Sequence, residues 1–176
     1  MPPPRSSSPA CSRTRNSPWR PPLAGTTGRN PGRTAPLPPF DTSLALAPLS
    51  PLVVVEGQAP RVNAIEYLPP DHPRTPELLL ENLISKYVAY QSYRQSPVDP
   101  TLASANVQVQ VQCHKPPKSR LVTLKADTAA ETRVRGFYEG FSLTLNGPAE
   151  ILRIGYLSGL GRYNASGFGC FGVREN

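Results

Sequence analysis

The sequence predicts an α+β domain of the ferredoxin-like order β-α-β-β-α-β, with an inserted hairpin and a disordered N-terminal extension. Three observations carry this. Apolar residues recur at helical spacing across residues 76–95 and again after Pro148. Between those stretches, Val107-Gln108-Val109-Gln110-Val111 alternates strictly, as a half-buried strand does. Ahead of both lies a proline- and arginine-rich stretch with no core-forming pattern.

That N-terminal stretch is compositionally distinct. Fourteen of the 23 prolines lie within residues 1–60, and residues 1–40 hold six arginines, no lysine and no acid. Their few apolar residues, such as Trp19, Leu23, Leu37 and Phe40, are scattered. Such a segment cannot bury enough surface to offset its chain entropy. Residues 1–43 are therefore expected to be a disordered extension, dispensable to the fold, and residues 44–176 the domain. The composition of the extension also suits a translation that is not genuine coding sequence. The net charge of +7 sits almost wholly there, because residues 41–176 carry 13 basic against 12 acidic residues. Within the domain the balance is polarised: residues 101–176 carry nine basic and five acidic residues. That excess suits a phosphate-bearing partner, and it equally suits a solvated basic face.

The elements follow in order. Residues 49–56, a β-branched run bounded by Pro51 and Gly57, predict a strand, and residues 61–68 a weaker one. Asp71-His72-Pro73-Arg74-Thr75 is a loop, with Thr75 as N-cap and Pro76 in the first helical turn. Leu79, Leu83, Lys86, Tyr87 and Tyr90 then recur at spacings of three and four, with Lys86 at the edge of the apolar stripe. The helix is expected to end before Pro97. After the alternating strand, Lys115-Pro116-Pro117-Lys118 predicts a turn into a second β run at 119–126. Residues 132–145 are β-rich with a break near Glu139-Gly140. Asn146-Gly147-Pro148 opens a short helix whose face is Ile151, Leu152, Gly155 and Tyr156, and Phe168–Val173 is a closing strand.

The most informative segment joins that helix to that strand. Two Gly-apolar-Gly clasps, Gly159-Leu160-Gly161 and Gly167-Phe168-Gly169, flank Arg162, Tyr163, Asn164, Ala165 and Ser166. Glycines permit left-handed backbone and close approach, and successive N–H groups in such a loop can form an anion-binding concavity. Arg162, Tyr163, Asn164 and Ser166 at its tip make a plausible grip for a phosphodiester chain. A dinucleotide fingerprint fits poorly, since it follows a strand and opens a helix. No Lys-Ser/Thr follows, so the segment is not a P-loop. A helix C-cap followed by a glycine-rich turn is the plainer alternative.

The pattern G-L-G-x5-G-F-G near a C-terminus resembles the glycine-rich loop of CRISPR-associated RNA-processing proteins, specifically the repeat-cleaving endoribonucleases known as the Cas six family. Pro51–Val55, Pro76–Tyr90 with Glu81-Asn82-Leu83-Ile84 and Lys86-Tyr87, Arg135-Gly136-Phe137-Tyr138, and Leu145–Glu150 resemble its strand, helix, hairpin and last helix. The likeness covers residues 44–174. It implies the second of two tandem ferredoxin-like (RRM-like) domains, a role in guide-RNA processing for antiviral defence, and repeat RNA as partner. No cofactor is implied. The implied RNA-binding residues are Gly159, Gly161, Arg162, Tyr163, Asn164, Ser166, Gly167 and Gly169, joined by the basic Lys115, Lys118 and Arg120.

The resemblance also implies metal-independent cleavage by attack of a ribose 2′-hydroxyl, which needs a general base and acid. In the family these groups typically belong to the first domain, for which this sequence has no room. The expectation is a truncated form with little cleavage activity of its own. His114, beside Lys115, Lys118 and Arg120, is the catalytic candidate, with an ordinary strand-end histidine as the alternative. His72 reads as a solvated loop histidine. A second functional reading, a protein-docking module of a CRISPR effector complex, stays open, because this fold hosts many functions. Cys11, Cys113 and Cys170 are too widely spaced for a zinc site or disulfide framework. No apolar run is long enough to span a membrane, and no signal-peptide core follows the N-terminus. The cytoplasm is the expected location.

Overall fold

The computed structural model describes residues 37–56 and 66–174. The expected disorder of residues 1–36 and most of the weak strand at 61–68 lie outside the described residues. The elements run β1 (Ser43–Pro48), β2 (Val55–Glu56), β3 (Glu66–Tyr67), α1 (Thr75–Tyr93), α2 (Pro100–Ala105), β4 (Gln108–Leu124), β5 (Thr132–Asn146), α3 (Ala149–Ser158), a 3₁₀ turn (Asn164–Ser166) and β6 (Phe171–Val173). The main sheet is antiparallel in the order β4-β5-β1-β6. Taking β1, α1, β4, β5, α3 and β6 as the six basic elements gives the expected ferredoxin-like fold. Strands β2 and β3 form a small separate ribbon.

Strand β1 replaces the strand expected at 49–56. Leu44 and Leu46 are buried while Ala45 and Ala47 alternate with them, so this run suits a sheet with one covered face. Ser43↔Asn146 to Leu46↔Leu143 sets its register on β5, and Leu46↔Val173 to Pro48↔Phe171 sets β6. The more strand-like Leu52-Val53-Val54 run is buried but makes only a bridge, Leu52 to Phe137. Its other carbonyls serve neighbours: Val53 accepts from Arg162 N–H at 2.8 Å and Val54 from Leu68 N–H at 3.0 Å. Hydrophobicity identified a buried segment there, and tertiary partners decided its form.

Helix α1 starts one residue before the expected position. Arg74 is the N-cap, and the Thr75 hydroxyl donates instead to the Pro69 carbonyl at 2.8 Å. His72 builds the preceding turn, its Nδ1 accepting the Arg74 N–H at 3.2 Å, and Arg74 pairs with Glu56. Leu79, Leu83 and Ile84 face the core. Gly155 of α3 brings the helices together, since a β-carbon there would lie 3.0 Å from Leu83. Across the same contact Glu150 accepts from Tyr87, Gln91 and Arg94 at 3.0–3.4 Å. The short α2, capped by Asp99 on Thr101 N–H at 2.7 Å, had no distinct apolar signal.

The expected turn at Lys115–Lys118 does not reverse the chain. It lies inside β4, where the ladder to β5 shifts register between Cys113 and Ser119. The two prolines lack N–H donors, so the strand bulges rather than pairs. Opposite them Gly140 takes φ +90°, and a β-carbon there would lie 2.8 Å from the Lys115 carbonyl oxygen. That places the expected β break at Glu139-Gly140 across from the bulge. Strand β6 is shorter than expected because Phe168 and Gly169 belong to the loop before it.

Leu44, Leu46, Leu79, Leu83, Leu143, Leu145 and Leu152 fill the core between sheet and helices, each worth about 1.5–3 kcal/mol. Phe40, assigned by composition to the extension, packs edge-on against Tyr156 at 5.7 Å. Val53, Val134 and Phe168 form a second cluster, against which Tyr67, Val122 and Tyr163 pack. That cluster is the floor of the glycine loop.

Candidate nucleic-acid interface

The loop begins where Gly159 ends α3 with a positive φ of +75°. Its base is closed across itself: Leu160 N–H donates to Gly169 O at 2.9 Å and Gly169 N–H to Pro51 O at 2.8 Å. Gly161 N–H donates to Asn82 Oδ1 at 3.1 Å. Gly159, Gly161 and Gly169 are all buried. At Gly161 and Gly169 a β-carbon would lie 2.4 Å from Val53 O and 1.9 Å from Leu160 O. These three glycines make the loop possible but do not face solvent. The expected anion concavity therefore does not form from their N–H groups, because the folded loop already uses the Gly161 and Gly169 donors and shields all three residues.

Asn164 is also not the free grip the sequence suggested. Its Nδ2 donates to Leu160 O at 3.2 Å and to Phe168 O at 2.9 Å, stitching the two clasps together. Its Oδ1 accepts from Lys86 Nζ at 2.7 Å, and Lys86 also donates to Gly159 O at 2.8 Å. Burial pulls the Lys86 pKa down to about 8. Asn82 and Lys86, one turn apart on α1, thus hold the loop from below. The sequence placed both on a helix but gave no sign of this role, since their acceptor and donor partners lie 73 to 79 residues away.

What remains outward is the tip. Arg162, Ala165, Ser166 and Gly167 are exposed, and a β-carbon on Gly167 would meet nothing within 4 Å. Tyr163 is half-buried in left-handed backbone, φ +62°, with its ring edge-on to Phe168 at 6.3 Å. Beside it stands Tyr67, whose hydroxyl donates to Arg133 O at 3.1 Å. Burial, and then the neighbouring Tyr163, raise the Tyr67 pKa.

The basic Lys115–Arg120 group divides across the bulge. Arg120 is exposed and pairs with Gly136, which lies against Pro51 and Val53, the residues to which the loop is bonded. Lys118 turns to Glu139 at 2.8 Å, and Lys115 is exposed on the bulge. His114 lines a shallow cavity of about 270 Å³ with Ala47, Glu139, Ser142 and Arg174. Along β5, Phe141 opposite Cys113 and Gly136 opposite Arg120 are five positions apart, roughly 17 Å in extended chain. His114 and Arg120 are neighbours in sequence without sharing a site. Among the described residues no group of three or more metal-ligating side chains occurs, and no helix is long and apolar enough to cross a membrane.

A ferredoxin-like domain whose last helix and last strand are joined by a clasped glycine loop, with an arginine and a tyrosine at the tip, defines an RRM-like α+β class. The family model described as "CRISPR associated protein Cas6, C-terminal" matches residues 35–173. The chain belongs to that family. Among solved structures it is similar to a Cas6-related protein from Pyrococcus furiosus, with 17% identity, TM-score 0.57 and coverage of 81% of this chain and 52% of that one. It is also similar to "An RAMP protein binding different RNA substrates", with 20% identity, TM-score 0.57 and coverage of 80% and 52%. A third likeness, to "CRISPR associated protein Cas6", has 20% identity, TM-score 0.50 and coverage of 79% and 52%. The chain thus spans about half the length of these structures. No curated protein sequence matches it.

Proposed function

We propose that this chain binds CRISPR repeat RNA in guide-RNA processing, through the tip of the glycine loop and the adjoining arginine of β4. Arg162 and Arg120 contact phosphates, Tyr163 stacks on a base or ribose, and Ser166 with the open backbone at Gly167 adds hydrogen bonds. Gly159, Gly161, Gly169 and Asn164 serve by shaping the loop. Lys115 and Lys118 lie farther along the same strand and extend the basic track. The observation that carries this reading is the rigid presentation of an exposed Arg162 beside Tyr163, on a loop fastened at both ends to the core. The family's association with CRISPR systems supplies the RNA class, and one structural relative is described as binding different RNA substrates.

The assigned role is retention of RNA. A guanidinium, a phenol, a hydroxyl and backbone N–H groups can hold and orient a phosphodiester. The acid and base for 2′-hydroxyl attack are assigned to no tip residue. The test is repeat-RNA binding over a salt series. Affinity should fall steeply with salt, and Arg162→Ala with Arg120→Ala should weaken binding and flatten that dependence. Binding unchanged by the pair would remove the loop from the interface. Salt-insensitive capture of a CRISPR effector protein at the same loop would favour the docking reading.

A further inference from the structure

Lys86 is an ammonium group, half-buried and set under the glycine loop. Among the described residues it has no acidic partner within 4.0 Å. Its two contacts are neutral oxygens, Gly159 O at 2.8 Å and Asn164 Oδ1 at 2.7 Å. A cation placed so is costly to desolvate, and an apolar side chain would fill the same stripe of α1 more cheaply. Its contacts indicate what the side chain does. One goes to the carbonyl at which α3 ends, the other to the side chain that ties Leu160 to Phe168. One turn earlier on α1, Asn82 takes the Gly161 N–H. Two side chains of α1 therefore fix the entry of the loop, its second glycine and its internal strut.

We infer that Lys86, supported by Asn82, is a positioning residue that fixes the glycine loop in its binding geometry without contacting the ligand itself. The inference rests on the RNA-binding reading only for its functional consequence. The fastening itself can be observed in the free protein. Charge-assisted hydrogen bonds are the strong ones, and losing Lys86 leaves Asn164 Oδ1 without its donor and Gly159 O with only the longer contact from the Ser158 hydroxyl at 3.4 Å. The loop tip would then sample other conformations, and the binding-competent fraction would fall.

Two readouts test this on the full chain. The first is amide exchange without RNA. In Lys86→Met the N–H groups of Leu160, Gly161 and Gly169 should exchange at least tenfold faster, while those of β5 stay unchanged. Unchanged loop exchange would overturn the fastening. The second is repeat-RNA affinity in a double-mutant cycle with Arg162→Ala and Tyr163→Ala combined. Lys86→Met alone should weaken binding roughly tenfold. In the background that lacks both tip side chains it should cost less than about twofold, because its effect runs through the tip. A tenfold loss persisting in that background would make Lys86 a direct phosphate contact and overturn the proposal. If the tip variant binds as well as wild type, the RNA reading of the loop fails, while the exchange result still decides the fastening. Should Lys86→Met not fold, Asn82→Ala removes the Gly161 acceptor with a good helix former and should show the same pattern, with Gly161 exchange as the decisive signal.

Discussion

Gly161 lies so close to Val53 that a β-carbon on it would stand 2.4 Å from the Val53 carbonyl oxygen. The same carbonyl accepts the N–H of Arg162 at 2.8 Å. One backbone oxygen therefore sets both the need for glycine and the placement of the arginine that follows it. The clasp is a piece of core construction that leaves its chemistry to the next residue.

Gly161→Ala should consequently cost far more than Gly167→Ala. Both have positive φ, +78° and +86°, but only Gly161 is also blocked by backbone. The left-handed conformation alone costs about 1–2 kcal/mol. Collision with a carbonyl that cannot rotate away should raise the Gly161 cost to about 3 kcal/mol or more. Thermal melts should show a drop on the order of 10 °C for Gly161→Ala and a few degrees for Gly167→Ala. Equal drops would mean that the loop is not packed on Val53.

If the glycine loop holds RNA as proposed, affinity measurements should separate the cations of β4. Arg120 stands opposite Gly136 at the foot of the loop, whereas Lys118 is engaged by Glu139 at 2.8 Å. Arg120→Ala should lower affinity and reduce the slope of log affinity against log salt by about 0.7 for a single-stranded contact. Lys118→Ala should change the slope less. Glu139→Gln, which frees Lys118, should strengthen binding modestly. A larger slope change for Lys118 than for Arg120 would place the RNA on the bulge side instead.

Lys86 gives a pH prediction with a definite sign. Its folded pKa is about 8, below the ordinary lysine value of 10.5. Between those values the unfolded chain binds more protons than the folded one, so stability rises with pH. Below about pH 8 the lysine is protonated in both states and the full cost of burying the charge is felt. The neutral amine keeps two N–H donors, enough for Gly159 O and Asn164 Oδ1. The loop should therefore stay fastened as the proton leaves. Denaturant titrations from pH 7 to pH 10 should show wild type gaining stability relative to Lys86→Met. A parallel course for the two proteins would mean that Lys86 titrates normally.

The sequence made the fold legible where periodicity was strong. Helix α1 and the alternation that opens β4 are single-residue patterns that no tertiary partner overrode. The Leu52–Val54 run shows the limit. Its composition reads as strand, yet its carbonyls go to Arg162 and Leu68, which local pattern cannot reveal. Lys115-Pro116-Pro117-Lys118 reads as a turn for an equally local reason and is a bulge, because β5 bends with it at Gly140. The candidate site was legible as a loop and not as a set of contacts. Glycine spacing marks where backbone must turn. Which polar atoms then face inward depended on Asn82 and Lys86, far away in sequence.

The last prediction concerns His114. Sequence adjacency to Lys115, Lys118 and Arg120 made it the candidate acid or base. In the fold it lines a cavity with Glu139, Ser142 and Arg174, on the far side of the bulge from Arg120. A phosphodiester held between Arg162 and Arg120 would lie beyond its hydrogen-bond reach, and a general base must come within about 2.6–3.2 Å of the proton it takes, or act through one water. The 176-residue chain should therefore cleave repeat RNA slowly, and His114→Ala should leave the rate within about twofold. A histidine that took part would cost about 10²–10⁴-fold on removal, so the two outcomes are well separated. Single-turnover cleavage of repeat RNA without added metal, run on both proteins, is the measurement. A hundredfold loss in His114→Ala would place the scissile bond over the Glu139 cavity and move the RNA path away from the glycine loop.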